Sequence, residues 1–313
     1  MKGIYRGAAF ALITTFALTA CGGGDSDSNP LTGSSSGSGG GGDGKAITVG
    51  SANFPENQLL AEIYSQALEA KGLKVTRKFD IGAREVYYDQ VVKGGISVMP
   101  EYNGALLAVA VDKNSTATST EDVNAELKKK LPSSVEILDS AAAEDKDSVS
   151  VTSETAAKYK LKTLADLKPV ADKLAIGGGS EFKTRQQGLV GLNTVYGVKF
   201  KKFQPLDAGA QSTLVELLKK GTVQAANLYT TDPAIVEDKL VVLEDPKHLF
   251  SSQNVTPLVY KSAINDTAKA ALNGVSAKLT TEDLLEMMKK LVNDKEDADT
   301  VAKDWLTKAG LAS

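Results

Sequence analysis

The chain has 313 residues, and its 36 Lys and Arg against 39 Asp and Glu leave a formal charge of −3, which argues against a basic nucleic-acid binder. The length predicts about two domains, and 42% hydrophobic residues are enough to build a real core. One Cys and one His exclude a Cys/His zinc site and an intrachain disulfide. No metal or cofactor is expected. His248 would be the sole imidazole base, but it follows Asp245-Pro246-Lys247 in a turn and reads as a surface residue.

Lys2 and Arg6 precede an apolar stretch over 8–20 that is too short to span a bilayer. It has the character of a signal-peptide core, so residues 1–20 are expected to be removed. The stretch ends in Leu18-Thr19-Ala20-Cys21, which resembles a bacterial lipobox, and the resemblance implies lipidation at Cys21. Residues 22–44 hold ten Gly and six Ser in 23 positions and cannot pack a core. They read as a disordered tether, reaching about 25 Å. The expectation is a globular body held by its lipid alone on the extracytoplasmic face of a bacterial cell membrane.

From Lys45 the pattern alternates. Ile47–Gly50 reads as a strand, and Glu56–Lys71 as a helix with Leu59, Leu60, Ile63, Tyr64, Ala67 and Leu68 on one face. A strand is expected over 73–79, a helix over 84–93 and a strand over 96–99 that runs into Pro100-Glu101-Tyr102-Asn103-Gly104. One of Tyr87 and Tyr88 should be core. Lys128-Lys129-Lys130 reads as a solvated helix face. A second unit starts near 149, with strands at 149–151 and 173–176, the latter ending in Gly177-Gly178-Gly179. That glycine run lacks the Gly-Lys-Ser/Thr ending of a phosphate loop. A helix is expected after Phe182 and another over 212–220, then strands at 223–228, 240–243 and 258–260. Three helices close the chain over 267–279, 283–292 and 299–308. This βα alternation implies an α/β fold with helices on the sheet faces.

Ligands of open α/β sheets bind beyond the carboxyl ends of the strands. The loops there carry Asn53, Phe54, Asn57, Tyr102, Asn103, Glu181, Phe182, Arg185, Tyr229 and Thr230. Aromatic faces suit a cation, and a guanidinium suits a carboxylate. Structural roles compete at each position. Phe54 and Phe182 read more as core packing than as binding faces. Asn53 and Asn57 are candidates to cap the helix after Pro55. Arg185 stands at helical spacing from Glu181. A Glu181 and Asp232 pair imitates a glycosidase, but nothing else supports hydrolysis.

The string Val49-Gly50-Ser51-Ala52-Asn53-Phe54-Pro55-Glu56-Asn57 resembles the opening of the glycine betaine/carnitine/choline-binding proteins of ABC importers. So do Pro100-Glu101-Tyr102-Asn103-Gly104, Glu181-Phe182-Lys183-Thr184-Arg185 and Ala226-Asn227-Leu228-Tyr229-Thr230-Thr231-Asp232. Two C-terminal segments, from Thr281 and from Val301, are similar as well. The resemblance implies a two-lobed periplasmic-binding-protein (type II) fold with a two-crossing hinge. It puts lobe 1 at 45–147 and 254–313, and lobe 2 at 148–253. It implies a non-enzymatic, monomeric protein that closes on a quaternary amine or zwitterion and hands it to an ABC permease with its ATPase. Tyr102 and Tyr229 are then cage candidates, and Arg185 is the carboxylate clamp. There are departures from the family pattern at Ala52 and Ala105. Where relatives have aromatics near the crossings, this chain has Asp147-Ser148-Val149 and Ser251-Ser252-Gln253-Asn254. Gln253 and Asn254 would supply polar contacts, which suits a more hydrogen-bonding solute: an ergothioneine-like betaine or an amino acid. The same fold used as a ligand sensor is the other alternative.

Overall fold

A computed structural model of the protein describes residues 45–207 and 209–312. The expected signal peptide, Cys21 and the Gly/Ser tether lie outside the described residues. Among the described residues there are ten strands: β1 (Ile47–Gly50), β2 (Val75–Lys78), β3 (Val98–Tyr102), β4 (Val135–Ile137), β5 (Asp147–Val151), β6 (Ala175–Gly179), β7 (Lys202–Leu206), β8 (Ala225–Tyr229), β9 (Val241–Val242) and β10 (Val255–Tyr260). They form two sheets, ordered β2-β1-β3-β10-β4 and β7-β6-β8-β5-β9. In the first, β1 runs parallel to β2 and β3, while β10 is antiparallel to β3 and β4. The second repeats the scheme, with β6 parallel to β7 and β8, and β5 antiparallel to β8 and β9. The chain passes between sheets after β4 and returns before β10, which gives the expected α/β architecture of two lobes joined by two crossings.

Each lobe has its own core. The helix Pro55–Glu69 starts with proline at its first position, where the missing N–H costs nothing. It buries Leu59, Leu60, Ile63 and Leu68. These pack with Leu272, Val275, Trp305 and Leu306 from the C-terminal helices Asp266–Ser276 and Ala298–Lys308. The second lobe is built on Val149, Val151, Ile176, Leu164 and Leu192. Among the described residues no helix is long and apolar enough to cross a membrane.

The two crossing strands run side by side. Glu144 and Asn254 form an antiparallel bridge, Asp145 N–H donates to the Gln253 carbonyl at 3.2 Å, and Val255 N–H donates to the Ala143 carbonyl at 3.0 Å. Gly104 is needed beside them, because a Cβ there would lie 2.1 Å from the Ser252 carbonyl oxygen.

Local differences from the sequence expectations have physical causes. The glycines at 177–179 are strand rather than loop. A Cβ on Gly177 would sit 2.5 Å from Leu214 Cδ1, so the bare backbone lets the helix Gln211–Lys219 pack closely. The segment after Phe182 makes a 3₁₀ turn at Ser180–Lys183, and the α-helix begins only at Leu189. Strand β7 carries Pro205, which is tolerated because β7 is an edge strand. The helix Thr281–Lys289 is capped by Thr280, in a reciprocal box with Asp283. Lys128, Lys129 and Lys130 are exposed on the last turn of Thr120–Lys130, and His248 is exposed too.

Candidate ligand-binding cleft

A cleft lies where the carboxyl ends of β1, β3, β6 and β8 face one another. The loop after β1 brings Ala52, Asn53 and Phe54 to it, and the end of β3 brings Tyr102. The second lobe contributes Glu181, Phe182 and Arg185 after β6 and Tyr229 at the end of β8, and the hinge adds Asp145, Asp147 and Gln253.

Phe54 is the centre of an aromatic wall. Its ring stacks on Tyr229 at 5.4 Å between centroids and on Tyr102 at 6.2 Å, with interplanar angles of 25° and 29°. Tyr102 is anchored from behind, as its hydroxyl donates to Glu56 Oε1 at 2.7 Å. Burial, then the nearby Glu56 charge, pushes its phenol well above the ordinary range. Burial and the neighbouring Asp147 likewise raise Tyr229. Both phenols are therefore neutral and offer intact π-faces.

Two guanidiniums reach the cleft, and each is already held. Arg84 is buried and pairs with buried Glu101, with Nη2 2.7 Å from Oε2 and Nε 3.0 Å from Oε1. Tyr87 donates to the same carboxylate at 2.9 Å. Arg185 reaches across from the second lobe to Glu85, with Nη2 2.9 Å from Oε2 and Nε 3.1 Å from Oε1. Burial alone would lower the Arg185 pKa, but the Glu85 pair outweighs it and raises it. Glu85 is held below its ordinary value: burial works against this, and the bond from Arg185 prevails.

A second contact between the lobes lies under the ring wall. Glu56, in the first turn of Pro55–Glu69, accepts from Thr231 Oγ1 of the second lobe. Thr231 N–H in turn donates to Asp145 at the hinge, at 3.1 Å. Burial raises Glu56, and burial followed by the Glu56 charge raises Asp145 well above its ordinary value. Two carboxyls this close and this dry favour holding a proton between them. Asn53 Nδ2 also crosses between lobes, donating to Asp207 at 3.0 Å.

Of the residues expected from sequence, Tyr102, Tyr229, Arg185, Phe182, Asn53, Phe54, Glu181 and Gln253 line the cleft. Phe182 does so from the second lobe's core, at 3% exposure. Four expected residues lie off the cleft wall, each engaged elsewhere. Asn57 braces two loops, accepting from Ala52 N–H at 2.7 Å and donating to the Pro100 carbonyl at 3.0 Å. Asn103 and Asn254 tie β3 to the return crossing, with Asn254 N–H 2.8 Å from Asn103 Oδ1. Thr230 accepts from Lys146 N–H at 2.9 Å in the outgoing crossing.

Arg84, Tyr87, Asp145, Asp147, Gln187 and Asn227 also line the cleft and were not among the expected site residues. One signal was present: Arg84 is a cation in the first turn of a helix, where the dipole disfavours it, so something else must hold it there.

The model of the substrate binding domain of ABC-type glycine betaine transport systems matches residues 45–308. The ergothioneine transport permease/ergothioneine binding protein EgtU of Helicobacter pylori strain G27 is 25% identical over 273 residues, covering 85% of this chain and 48% of that protein. The chain thus spans about half the length of that relative. The carnitine transport binding protein OpuCC of Listeria monocytogenes is 25% identical over 269 residues, covering 84% of this chain and 86% of that protein. A crystal structure of a glycine betaine/carnitine/choline ABC transporter superposes with a TM-score of 0.66 at 21% identity, covering 85% of this chain and 99% of that one. That likeness shows a shared fold, the two-lobed type II periplasmic-binding-protein architecture.

Proposed function

The chain belongs to the family of substrate binding domains of ABC-type glycine betaine transport systems, and we propose that its cleft captures a small quaternary-ammonium solute, cation or zwitterion, and delivers it to an importer's permease. The observation that carries this reading is the ring wall, Phe54 packed against both Tyr102 and Tyr229 at the cleft between lobes. A quaternary ammonium has no N–H to donate, so stacked π-faces are the natural partner for its charge. Each ring contributes about 0.5–2 kcal/mol, and micromolar affinity needs about −8 kcal/mol. Three rings and the expulsion of water on closure supply a large share of that. A ligand touching both lobes stabilises the closed state, which lets a permease tell loaded protein from empty.

The working ligand shell in this reading is Phe54, Tyr102 and Tyr229 with Asn53, Glu181, Phe182, Arg185 and Gln253. Lobe 1 then spans 45–147 and 254–313 and lobe 2 spans 148–253, which follows the membership of the two sheets except at Asp147, the first residue of β5. The lipobox-like Leu18-Thr19-Ala20-Cys21 and the Gly/Ser segment support a lipoprotein on the outer face of a bacterial cell membrane, tethered near its permease.

A different solute is the second reading. Gln187, Asn227 and Gln253 line the cleft, and such amides suit a ligand with its own hydrogen-bonding groups. An ergothioneine-like betaine or an amino acid meets that description. Isothermal titration against choline, carnitine, glycine betaine, proline betaine and ergothioneine decides between the two. Binding of any of the first four tighter than about 0.1 mM supports the main reading, and binding of ergothioneine alone favours the second. No binding by any of the five below the millimolar range removes the quaternary-amine reading and leaves the amino acid.

A further inference from the structure

We propose that Asp147 is the counter-ion for the ligand's positive head, and that it makes this cleft select a net cation such as choline over inner-salt betaines. The inference rests on the quaternary-ammonium reading above and narrows it. It comes from which charges in the cleft are already satisfied. Arg84 is neutralised by Glu101 and Arg185 by Glu85, each through paired hydrogen bonds. The cleft carboxylates are in the opposite condition. Asp147 receives only neutral amides: Asn227 Nδ2 at 3.0 Å and, more distantly, Gln253 Nε2 at 3.5 Å. Among the described residues neither Asp147 nor Glu181 has a cationic partner, and both line the cleft.

Position makes Asp147 the more telling of the two. It stands directly opposite Tyr229 in the β5–β8 ladder, and side chains of such cross-strand pairs share a face. A cation resting on the Tyr229 ring therefore lies beside a carboxylate that no protein cation neutralises. A zwitterion gains the same attraction at its head. Its own carboxylate, though, must enter a wall that already carries unpaired negative charge, or compete with Glu85 for Arg185. A cationic amino alcohol meets neither obstacle, and its hydroxyl has acceptors on Asp147.

The test is titration of choline and glycine betaine into the wild-type protein, Asp147→Asn and Asp147→Ser, with thermal melts to confirm folding. In the wild type, choline is expected to bind at least about tenfold tighter than glycine betaine, the scale of one partly screened charge interaction. Either folded variant is expected to weaken choline about tenfold and bring the two ligands within about threefold of each other. Equal or tighter binding of glycine betaine by the wild type overturns the inference, while the quaternary-ammonium reading stands. So does an unchanged choline preference in a folded variant. The wild-type ratio decides by itself if both variants fail to fold. Absence of binding by both ligands and by every other quaternary amine overturns the inference together with the reading beneath it.

Discussion

Arg185 of one lobe grips Glu85 of the other through two parallel hydrogen bonds, Nη2 to Oε2 at 2.9 Å and Nε to Oε1 at 3.1 Å. The pair is both a latch and a competitor, because a ligand carboxylate seeking Arg185 finds it occupied. Glu85→Gln is expected to free the guanidinium. Affinity for glycine betaine should then rise relative to choline by about two- to fivefold, the range of a partly exposed ion pair. Titration of both ligands into the variant checks this, and a fall in the betaine-to-choline affinity ratio would count against the competition.

The ring wall gives the second prediction. Phe54→Leu keeps the apolar bulk but removes the central π-face, contacted by both tyrosines. Loss of one ring is expected to weaken a quaternary ammonium by about tenfold. Tyr229→Ala is expected to cost at least about tenfold as well, with the melting temperature of the ligand-free protein nearly unchanged. Normal binding by Tyr229→Ala would remove that ring from the site.

How far these residues could be read from sequence depended on how local their cause is. Helix Pro55–Glu69 was visible because its apolar spacing is a property of the segment itself. Tyr102 and Tyr229 were visible because each ends a strand at the side where ligands enter. Arg84 and Asp147 were not, because their roles depend on Glu101, Asn227 and Gln253, which are remote in sequence. The same reason explains Asn57 and Asn254. An amide next to a ligand loop and an amide bracing that loop look alike until the far partner, Pro100 or Ala141, is known.

The Glu56 and Asp145 carboxyls predict how stability changes with pH. Both pKa values are raised on folding from ordinary values of 4.5 and 3.8. The folded state therefore holds more protons than the unfolded state above those values, and stability falls as pH rises toward the raised ones. Urea unfolding of the wild type is expected to show this decline from about pH 5 upward. Glu56→Gln mimics the protonated form and keeps an amide to bond Tyr102 and Thr231. It should flatten the decline, and an equally steep slope in the variant would show that other groups cause it.

The buried Arg84–Glu101 pair is expected to be structural as well as electrostatic. Glu101→Gln leaves a guanidinium buried with no opposing charge, a loss on the scale of about 3–5 kcal/mol. Equilibrium unfolding of the ligand-free protein measures it. A change within about 0.5 kcal/mol would mean that water reaches Arg84 and screens it.

The most direct test of the account is the crystal structure of the protein grown with choline or, if choline does not bind, with the tightest ligand of the panel. The quaternary nitrogen is expected within about 6 Å of the Phe54 and Tyr229 ring centroids, on the Asp147 side of the wall. A ligand seated instead in the separate cavity behind those rings, among Pro55, Gln211, Pro233, Met288 and Val292, would contradict it.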